Sequence, residues 1–369
     1  MLPLMIGGLY AALGRHPAGF AAVRLMLATC LAVAGALAVY LTAKLLLESG
    51  ARWEITFGSA AALVFAATHR TLRDYATDFL TEPVALLLTQ IFVLCVLHAT
   101  RSQNSDKNVR SSHTARIAVA IAGAVFGAMI LVRSLFVVWL PGVGLIMLLA
   151  FPGSWFDRLR TTALLLGMAC LVCLPWWVRN VYVLDRWMPL GTQGPITLLG
   201  GYSDAALASN GDWQSAPALQ LQRELAATEA YRSLPDDTQR EVLMATEASR
   251  RVRTWFWSHL DVLPGMMAKR VYVHWNPYTG RSLLWKVAFS IGVLGLIVWR
   301  DRAGWWLVGL LIVSTLSVAT LYSTGGRFLV PLYGVLYTLS GLGIAYTARI
   351  LHVWRRAGAV KSASSKPKF

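Results

Sequence analysis

The sequence predicts an all-α polytopic membrane protein with about nine transmembrane helices and one external, largely helical segment. Its 369 residues are 56% hydrophobic and only 14% charged, with a mean hydropathy of +0.54. A soluble domain typically carries about 25% charged residues. Apolar runs of about 18 residues or more recur along the chain, and each is long enough to cross a hydrocarbon layer about 30 Å thick.

The elements follow in order from these runs. Residues 1–13 are apolar but too short to span, which predicts an interfacial or juxtamembrane helix. Residues 179–282, which we call the polar segment, are too charged to cross a bilayer and predict an external cap that rests on the membrane. The predicted spans are residues 21–43, 52–69, 80–99, 115–132, 134–151, 159–178, 283–299, 304–322 and 328–351.

The charge distribution predicts the orientation, because basic residues concentrate in short cytoplasmic loops. The loop 101–116, the pair Arg158 and Arg160, and the C-terminal tail are therefore predicted inside, and the polar segment outside. The absence of an N-x-S/T sequence fits a bacterial inner membrane. The predicted parts are an N-terminal transmembrane module (1–178), the external polar segment (179–282), a C-terminal transmembrane module (283–351) and a cytoplasmic basic tail (352–369).

The net charge of +16 is spread over short segments between apolar runs. This distribution indicates membrane lipids as partners and argues against nucleic-acid binding. Cys170 and Cys173 form a CxxC pair inside an apolar run, where small apolar filler is favoured over a metal or redox site. No two histidines are three or four residues apart, and no GxSxG or GxxxxGK[ST] motif occurs. The sequence therefore indicates no certain cofactor and leaves a divalent metal open.

Three carboxylates lie just before or at the start of the third span, although carboxylates are costly for a membrane helix to carry. They are Asp74, Asp78 and Glu82. Asp78 and Glu82 are four residues apart and would share one helix face if the helix begins early enough. Helix capping explains Asp74 and Asp78 well and Glu82 less well, because Glu82 adjoins continuous apolar sequence. Glu82 and Asp78 are the candidate catalytic carboxylates, with capping as the alternative.

Three arginines are predicted on the same outer side, against the usual charge bias. Arg133, Arg179 and Arg327 each adjoin an apolar run. Any one alone could be an interfacial anchor whose side chain reaches lipid headgroups. Three together predict a site that binds the phosphate of a lipid, because guanidinium groups match phosphate geometry bidentately.

Four short stretches of the chain resemble motifs of one enzyme family, and the resemblance as a whole extends over most of the chain. They are similar to motifs of the bacterial polyprenyl-phosphate-dependent glycosyltransferases of the GT-C superfamily, which are related to protein O-mannosyltransferases. Glu82 matches the family's acidic position, whereas Ser134 stands where proline is usual. Asp185 or Arg186 stands where glycine is common. The stretches are DFLTEPVALLLTQ, GAMILVRSLFVVWLP, LPWWVRNVYVLDRWMPLGTQG and GGRFLVPLY.

The resemblance implies transfer of a sugar from a polyprenyl-phosphate donor to a lipid, glycan or protein acceptor on the outer face. Such chemistry is an inverting displacement in which a carboxylate deprotonates the acceptor, while arginines or a metal stabilise the departing phosphate. The family's principal catalytic Asp lies in a first external loop, and residues 2–25 resemble the end of that loop. The missing span and Asp are therefore expected upstream of Met1, with a truncated and inactive homologue as the alternative.

Two other function classes remain open at the level of sequence. An O-antigen-type polymerase or ligase also has many spans and a large basic external loop. That class does not predict TEP, PWWVRN and GGRF in this order. A transporter or flippase predicts charges within the spans and repeated halves, whereas the charges here lie at one rim.

Overall fold

The computed structural model describes residues 2–14, 16–47, 52–69, 80–105, 109–276, 283–298 and 302–364. Within these residues the chain is α-helical, with two short 3-10 helices and no β-strand. The predicted all-α polytopic membrane fold is therefore confirmed. The helices before the polar segment are α1 Leu2–Leu13, α2 Pro17–Leu47, α3 Arg52–Thr68, α4 Glu82–Ser105, α5 Val109–Val132, α6 Trp139–Ala150 and α7 Trp155–Leu184.

 The helices of the polar segment are α8 Gln193–Gly201, α9 Asp204–Ala208, α10 Ala216–Ala226, α11 Glu229–Arg232, α12 Asp237–Ser258 and α13 Leu263–Trp275. The last three are α14 Leu283–Val298, α15 Arg302–Thr320 and α16 Tyr333–Ser364.

Every predicted span falls on a helix, but not every helix is long enough to cross a membrane alone. α3 belongs neither to the long nor to the shorter apolar group, and it carries Arg52 and Glu54 in its first turn. Among the described residues, five helices are long and apolar enough to cross: Pro17–Leu47, Glu82–Gln103, His113–Val132, Trp155–Leu184 and Arg327–Ala357. The shorter apolar helices are Ser134–Ala150, Lys286–Val298 and Gly304–Thr320.

Several helices extend beyond the apolar runs that predict them. α7 begins at Trp155 and continues to Leu184, past the predicted limits of 159 and 178. Its N-terminus is closed by a capping box, in which Ser154 and Asp157 bond each other's backbone N–H groups. A cap satisfies orphan donors in the first turn, so the helix begins where the cap stands rather than where hydropathy rises.

The described residues form two compact units that are discontinuous in sequence. Unit 1 comprises His98–Gly280 and Gly309–Val330, and unit 2 comprises Leu2–Leu97, Arg281–Val308 and Pro331–Phe369. The units cut across the four parts predicted from sequence, because packing joins helices that are far apart in the chain. The predicted C-terminal module, 283–351, contributes to both units.

Close helix packing in unit 1 depends on small residues. α5 packs against α7, and Gly123 and Gly127 form a GxxxG pattern on α5. A Cβ at Gly127 would lie 2.6 Å from the backbone oxygen of Ala169, so the two backbones are already in contact. The thiol of Cys173 donates to the Gly127 carbonyl at 3.5 Å. Such small-residue packing is typical of transmembrane helix pairs.

Unit 2 is built around α16, which packs against α2, α3 and α14. Its first three turns are almost wholly buried. Gly341 of α16 faces Gly58 of α3, and a Cβ at Gly341 would lie 2.5 Å from the Gly58 carbonyl oxygen. The hydroxyl of Thr338 donates to the Ala38 carbonyl of α2 at 3.2 Å. Both contacts fix the lateral packing of α16.

Candidate functional site

Two of the predicted arginines meet around an aromatic pair in unit 1. Arg133 follows the last residue of α5, in extended conformation, and its guanidinium lies 5.1 Å from the ring centroid of Phe328. Phe328 contacts Tyr322 edge-to-face at 5.2 Å between ring centroids. Arg327 begins the 3-10 helix that contains Phe328. We call these four residues the arginine–tyrosine cluster.

Both arginines act on the electrostatics of Tyr322. Tyr322 lies in the loop that follows α15. Burial raises the pKa of its phenol, and the positive charges of Arg133 and Arg327 oppose that rise. The phenol is therefore protonated near neutral pH and can donate a hydrogen bond. A phenol and two guanidinium groups suit an oxyanion such as a phosphate, because all three are hydrogen-bond donors.

Glycines and the polar segment shape the loop that carries Tyr322. Gly325 and Gly326 have φ values of +61° and +84°, a left-handed conformation that residues with a Cβ seldom adopt. The Gly325 N–H donates to the Asp212 carboxylate at 3.3 Å. The Trp213 N–H donates to the Ser323 carbonyl at 2.8 Å. The polar segment thus holds the loop next to the arginine–tyrosine cluster.

A buried arginine joins the polar segment to the end of α15. Arg270 on α13 has no exposed surface. Its guanidinium donates to the carbonyls of Gly211 at 3.1 Å, Ala319 at 3.2 Å and Gly201 at 2.7 Å. It also lies 4.8 Å from the ring centroid of Tyr202, whose hydroxyl donates to the Thr320 carbonyl. We call these residues the Arg270 cluster.

The Arg270 cluster places one cation at two helix C-termini. Gly201 is the last residue of α8, and Ala319 is one residue before the end of α15. Terminal carbonyls lack intrahelical partners and carry partial negative charge. Burial lowers the pKa of Arg270, and its contacts with Tyr202 and the charge of Asp212 oppose this shift. The carbonyls and the ring compensate the buried charge, so this arginine organises structure around the Tyr322 loop.

Arg179 has a different environment from the other two predicted arginines. It lies on an exposed face of α7, 4.8 Å from the ring centroid of Trp176. Its guanidinium donates to the side-chain oxygen of Asn180 at 3.2 Å. The structure therefore brings Arg133 and Arg327 together and places Arg179 in contacts within its own helix.

The predicted carboxylates are described only in part. Glu82 is the first residue of α4 and is fully buried, with the Thr81 hydroxyl at 3.5 Å from its carboxylate. Pro83 lies in the first turn of α4, as the sequence predicts. Asp74 and Asp78 lie outside the described residues. Glu82 belongs to unit 2, whereas the three arginines belong to unit 1.

Unit 2 also contains a histidine that sequence patterns do not single out. His69 follows the last residue of α3. Its Nδ1 lies 2.5 Å from the Tyr337 hydroxyl, and its ring centroid lies 4.4 Å from that of Tyr333. Both tyrosines lie in the first turns of α16. The group provides a second set of polar side chains able to exchange a proton.

No metal centre is formed by the described residues, since no three His, Cys, Asp or Glu side chains among them gather at metal-binding distance. Sequence reasoning missed Tyr322, Asp212 and Arg270 as parts of the site. The sequence carries one local signal for Asp212, the preceding Asn-Gly pair, which is typical of a turn. In the structure Asn210 and Gly211 both have positive φ. Comparison of the chain with protein-family models, curated proteins and solved structures finds no match.

Proposed function

We propose that the protein is a membrane glycosyltransferase. It would move a sugar from a polyprenyl-phosphate donor to a lipid, glycan or protein acceptor on the outer face of a bacterial inner membrane. The observation that carries the proposal is the arginine–tyrosine cluster, in which Arg133 contacts the Phe328 ring, Phe328 contacts Tyr322, and Arg327 directly precedes Phe328. Two guanidinium groups and a phenol at the end of membrane helices suit a lipid-linked phosphate.

The reaction is a displacement at the anomeric carbon of the donor sugar. A hydroxyl oxygen of the acceptor forms the new bond to that carbon, and the bond from the carbon to the phosphate oxygen breaks. A carboxylate, for which Glu82 and Asp78 are the candidates, takes the acceptor proton. The electron pair of the broken bond leaves with the polyprenyl phosphate, whose charge Arg133 and Arg327 stabilise.

The polar segment supports the same proposal. It holds the Tyr322 loop through Asp212 and Trp213. A phosphate site needs its donors in fixed positions, because misplacement weakens each hydrogen bond steeply. Arg179 remains the third predicted contact of the donor phosphate, although its contacts in the structure are with Trp176 and Asn180 of its own helix.

The experiment is equilibrium binding of a polyprenyl-phosphate sugar to purified variants. Arg133→Lys, Arg327→Lys and Tyr322→Phe each remove hydrogen-bonding groups with little change in volume. A hydrogen bond to a charged group contributes about 1.5–3 kcal/mol, so each variant should bind the donor about ten- to a hundred-fold more weakly. Arg179→Lys should weaken binding in the same direction.

The matched control is Arg223→Lys, an exposed arginine on α10 of the polar segment. It should bind the donor like the wild type. Wild-type affinity in all four site variants, with normal folding, would exclude a donor-phosphate site at these arginines.

A further inference from the structure

A basic cavity lies at the other end of α5 from Arg133, within unit 1. Its volume is about 250 Å³, and it lies between the C-terminal turn of α4 and the N-terminal turns of α5 and α7. Arg116 of α5 and Arg160 of α7 line it. These two arginines come from separate helices, so their convergence is a tertiary feature.

The guanidinium groups of Arg116 and Arg160 are available to a ligand. Neither donates a hydrogen bond to any residue in the part of the chain that the structure describes. Arg158 on the same helix end differs, since it donates to the carbonyls of Gly153 at 3.2 Å and Leu148 at 3.3 Å. One arginine at this end therefore stabilises the fold, whereas the exposed Arg116 and Arg160 act, among the described residues, only through their charge on the nearby Asp157 carboxylate.

The one carboxylate in the cavity wall is already engaged. Asp157 accepts hydrogen bonds from the Ser154 hydroxyl at 2.6 Å and from the Ser154 N–H at 3.2 Å. It stands in the first turn of α7, where the helix dipole offsets its negative charge. The two arginines and this carboxylate leave the cavity with a formal charge of +1.

The cavity also has an apolar wall, formed by Val119, Phe151 and Leu164. Val119 and Phe151 are buried. From Arg116 to the end of α5 the helix rises about 24 Å, close to the thickness of a hydrocarbon layer, which is about 30 Å. The cavity therefore lies at the level of lipid headgroups, at the opposite end of α5 from the arginine–tyrosine cluster.

We propose that this cavity binds the phosphate of an anionic phospholipid, with Arg116 and Arg160 on the phosphate and the first carbons of an acyl chain against Leu164, the partly exposed residue of the apolar wall. A free phosphate would also bind to the two arginines, but it has no apolar part to place against Leu164. The wall therefore favours the lipid.

The experiment is native mass spectrometry of the delipidated full chain. The protein is titrated with phosphatidylglycerol or phosphatidylcholine, and inorganic phosphate is added as a competitor in a third arm. Phosphatidylglycerol should bind more tightly than phosphatidylcholine. Replacing both arginines in Arg116→Gln/Arg160→Gln should weaken phosphatidylglycerol binding about ten-fold.

The control is Arg355→Gln/Arg356→Gln, which removes two exposed charges on α16 and should leave the affinity unchanged. Thermal unfolding of both double variants tests their folding, and Arg116→Lys/Arg160→Lys, which keeps both charges, should retain the lipid preference. Equal lipid binding by wild type and the glutamine variant would overturn the proposal. So would displacement of the lipid by inorganic phosphate at similar affinity.

Discussion

At the scale of single residues, the candidate side chains have distinct reasons for their positions. Arg133 and Arg327 surround Tyr322 and Phe328 in unit 1. Glu82 is fully buried in unit 2, at the start of α4. A buried carboxylate near a membrane span is costly and is retained for a function or for a specific structural partner.

Replacement of Glu82 separates a catalytic role from a capping role. Glu82→Gln keeps the shape of the side chain but cannot accept a proton from an acceptor hydroxyl. General base catalysis contributes about 10²–10⁴-fold, so transfer should fall by about a hundred-fold or more while protein level is unchanged. The control is Glu54→Gln, since Glu54 is also buried and lies 3.7 Å from Arg349. Unchanged transfer by Glu82→Gln, with a lower protein level in Glu82→Ala, would favour capping.

At the scale of elements, the sequence predicts helices well and their long-range contacts poorly. The apolar runs locate α2, α5 and α7, because hydropathy is a property of contiguous residues. Asp236 caps the N-terminus of α12, since its carboxylate accepts from the Gln239 N–H at 2.7 Å. Arg270 could not be predicted, because its partners are backbone carbonyls, which every residue type supplies.

The Arg270 cluster predicts a specific loss of stability. Arg270→Met leaves the carbonyls of Gly201 and Gly211 buried without their donor. Each such loss costs about 1–3 kcal/mol, so the free energy of unfolding should fall by about 2–5 kcal/mol. Denaturant unfolding followed by tryptophan fluorescence measures it. Lys269→Met changes the exposed neighbour on the same helix and should have little effect. Equal unfolding of the two variants would contradict this role.

An ion-pair network in the polar segment predicts acid sensitivity. Arg250 bonds the Glu247 carboxylate at 2.6 and 2.8 Å, and Arg251 bonds both Glu247 and Glu224. The pKa of Glu247 falls from 4.5 to about 2, chiefly because of the hydrogen bonds from Arg250. Burial opposes this shift to a smaller extent, and Arg251 adds to it. A lowered pKa in the folded state adds stability above pH 4.5, and this stability is lost as pH falls towards 2.

Glu247→Gln tests that linkage. The variant should lose about 1 kcal/mol of unfolding free energy at neutral pH and show a shallower decline below pH 4.5 than the wild type. Unfolding measured across that pH range gives both quantities. Asp261→Asn, an exposed carboxylate in the same segment, should follow the wild-type curve. If the unfolding free energy of Glu247→Gln fell with pH as steeply as that of the wild type, the acid sensitivity would belong to other groups.

At the scale of the whole molecule, the sequence predicts membrane-spanning helices but not the two packing units. Unit 2 joins α2 and α3 to α14 and α16. These pairings depend on glycines such as Gly58 and Gly341, whose contacts are visible only when both helices are in place. The orientation of the chain in the membrane, in contrast, can be predicted from the sequence, because basic loops prefer the cytoplasm.

Cysteine labelling tests that orientation. In a variant without the native cysteines, Ser215→Cys lies in the polar segment and Ser364→Cys at the end of α16. A membrane-impermeant thiol reagent should label Ser215→Cys in intact spheroplasts and Ser364→Cys only after permeabilisation. The reverse pattern would invert the topology and remove the outer-face argument for the arginines.

The Arg270 contacts also bear on the order in which the chain is made. The Ala319 carbonyl that accepts from Arg270 lies 49 residues later in the chain, so translation must pass α15 before that bond can form. Until then Arg270 of the nascent polar segment lacks its acceptor on α15, and the Tyr322 loop has not been synthesised. Completion of the site is therefore a late event of biosynthesis, which follows insertion of α15 into the bilayer.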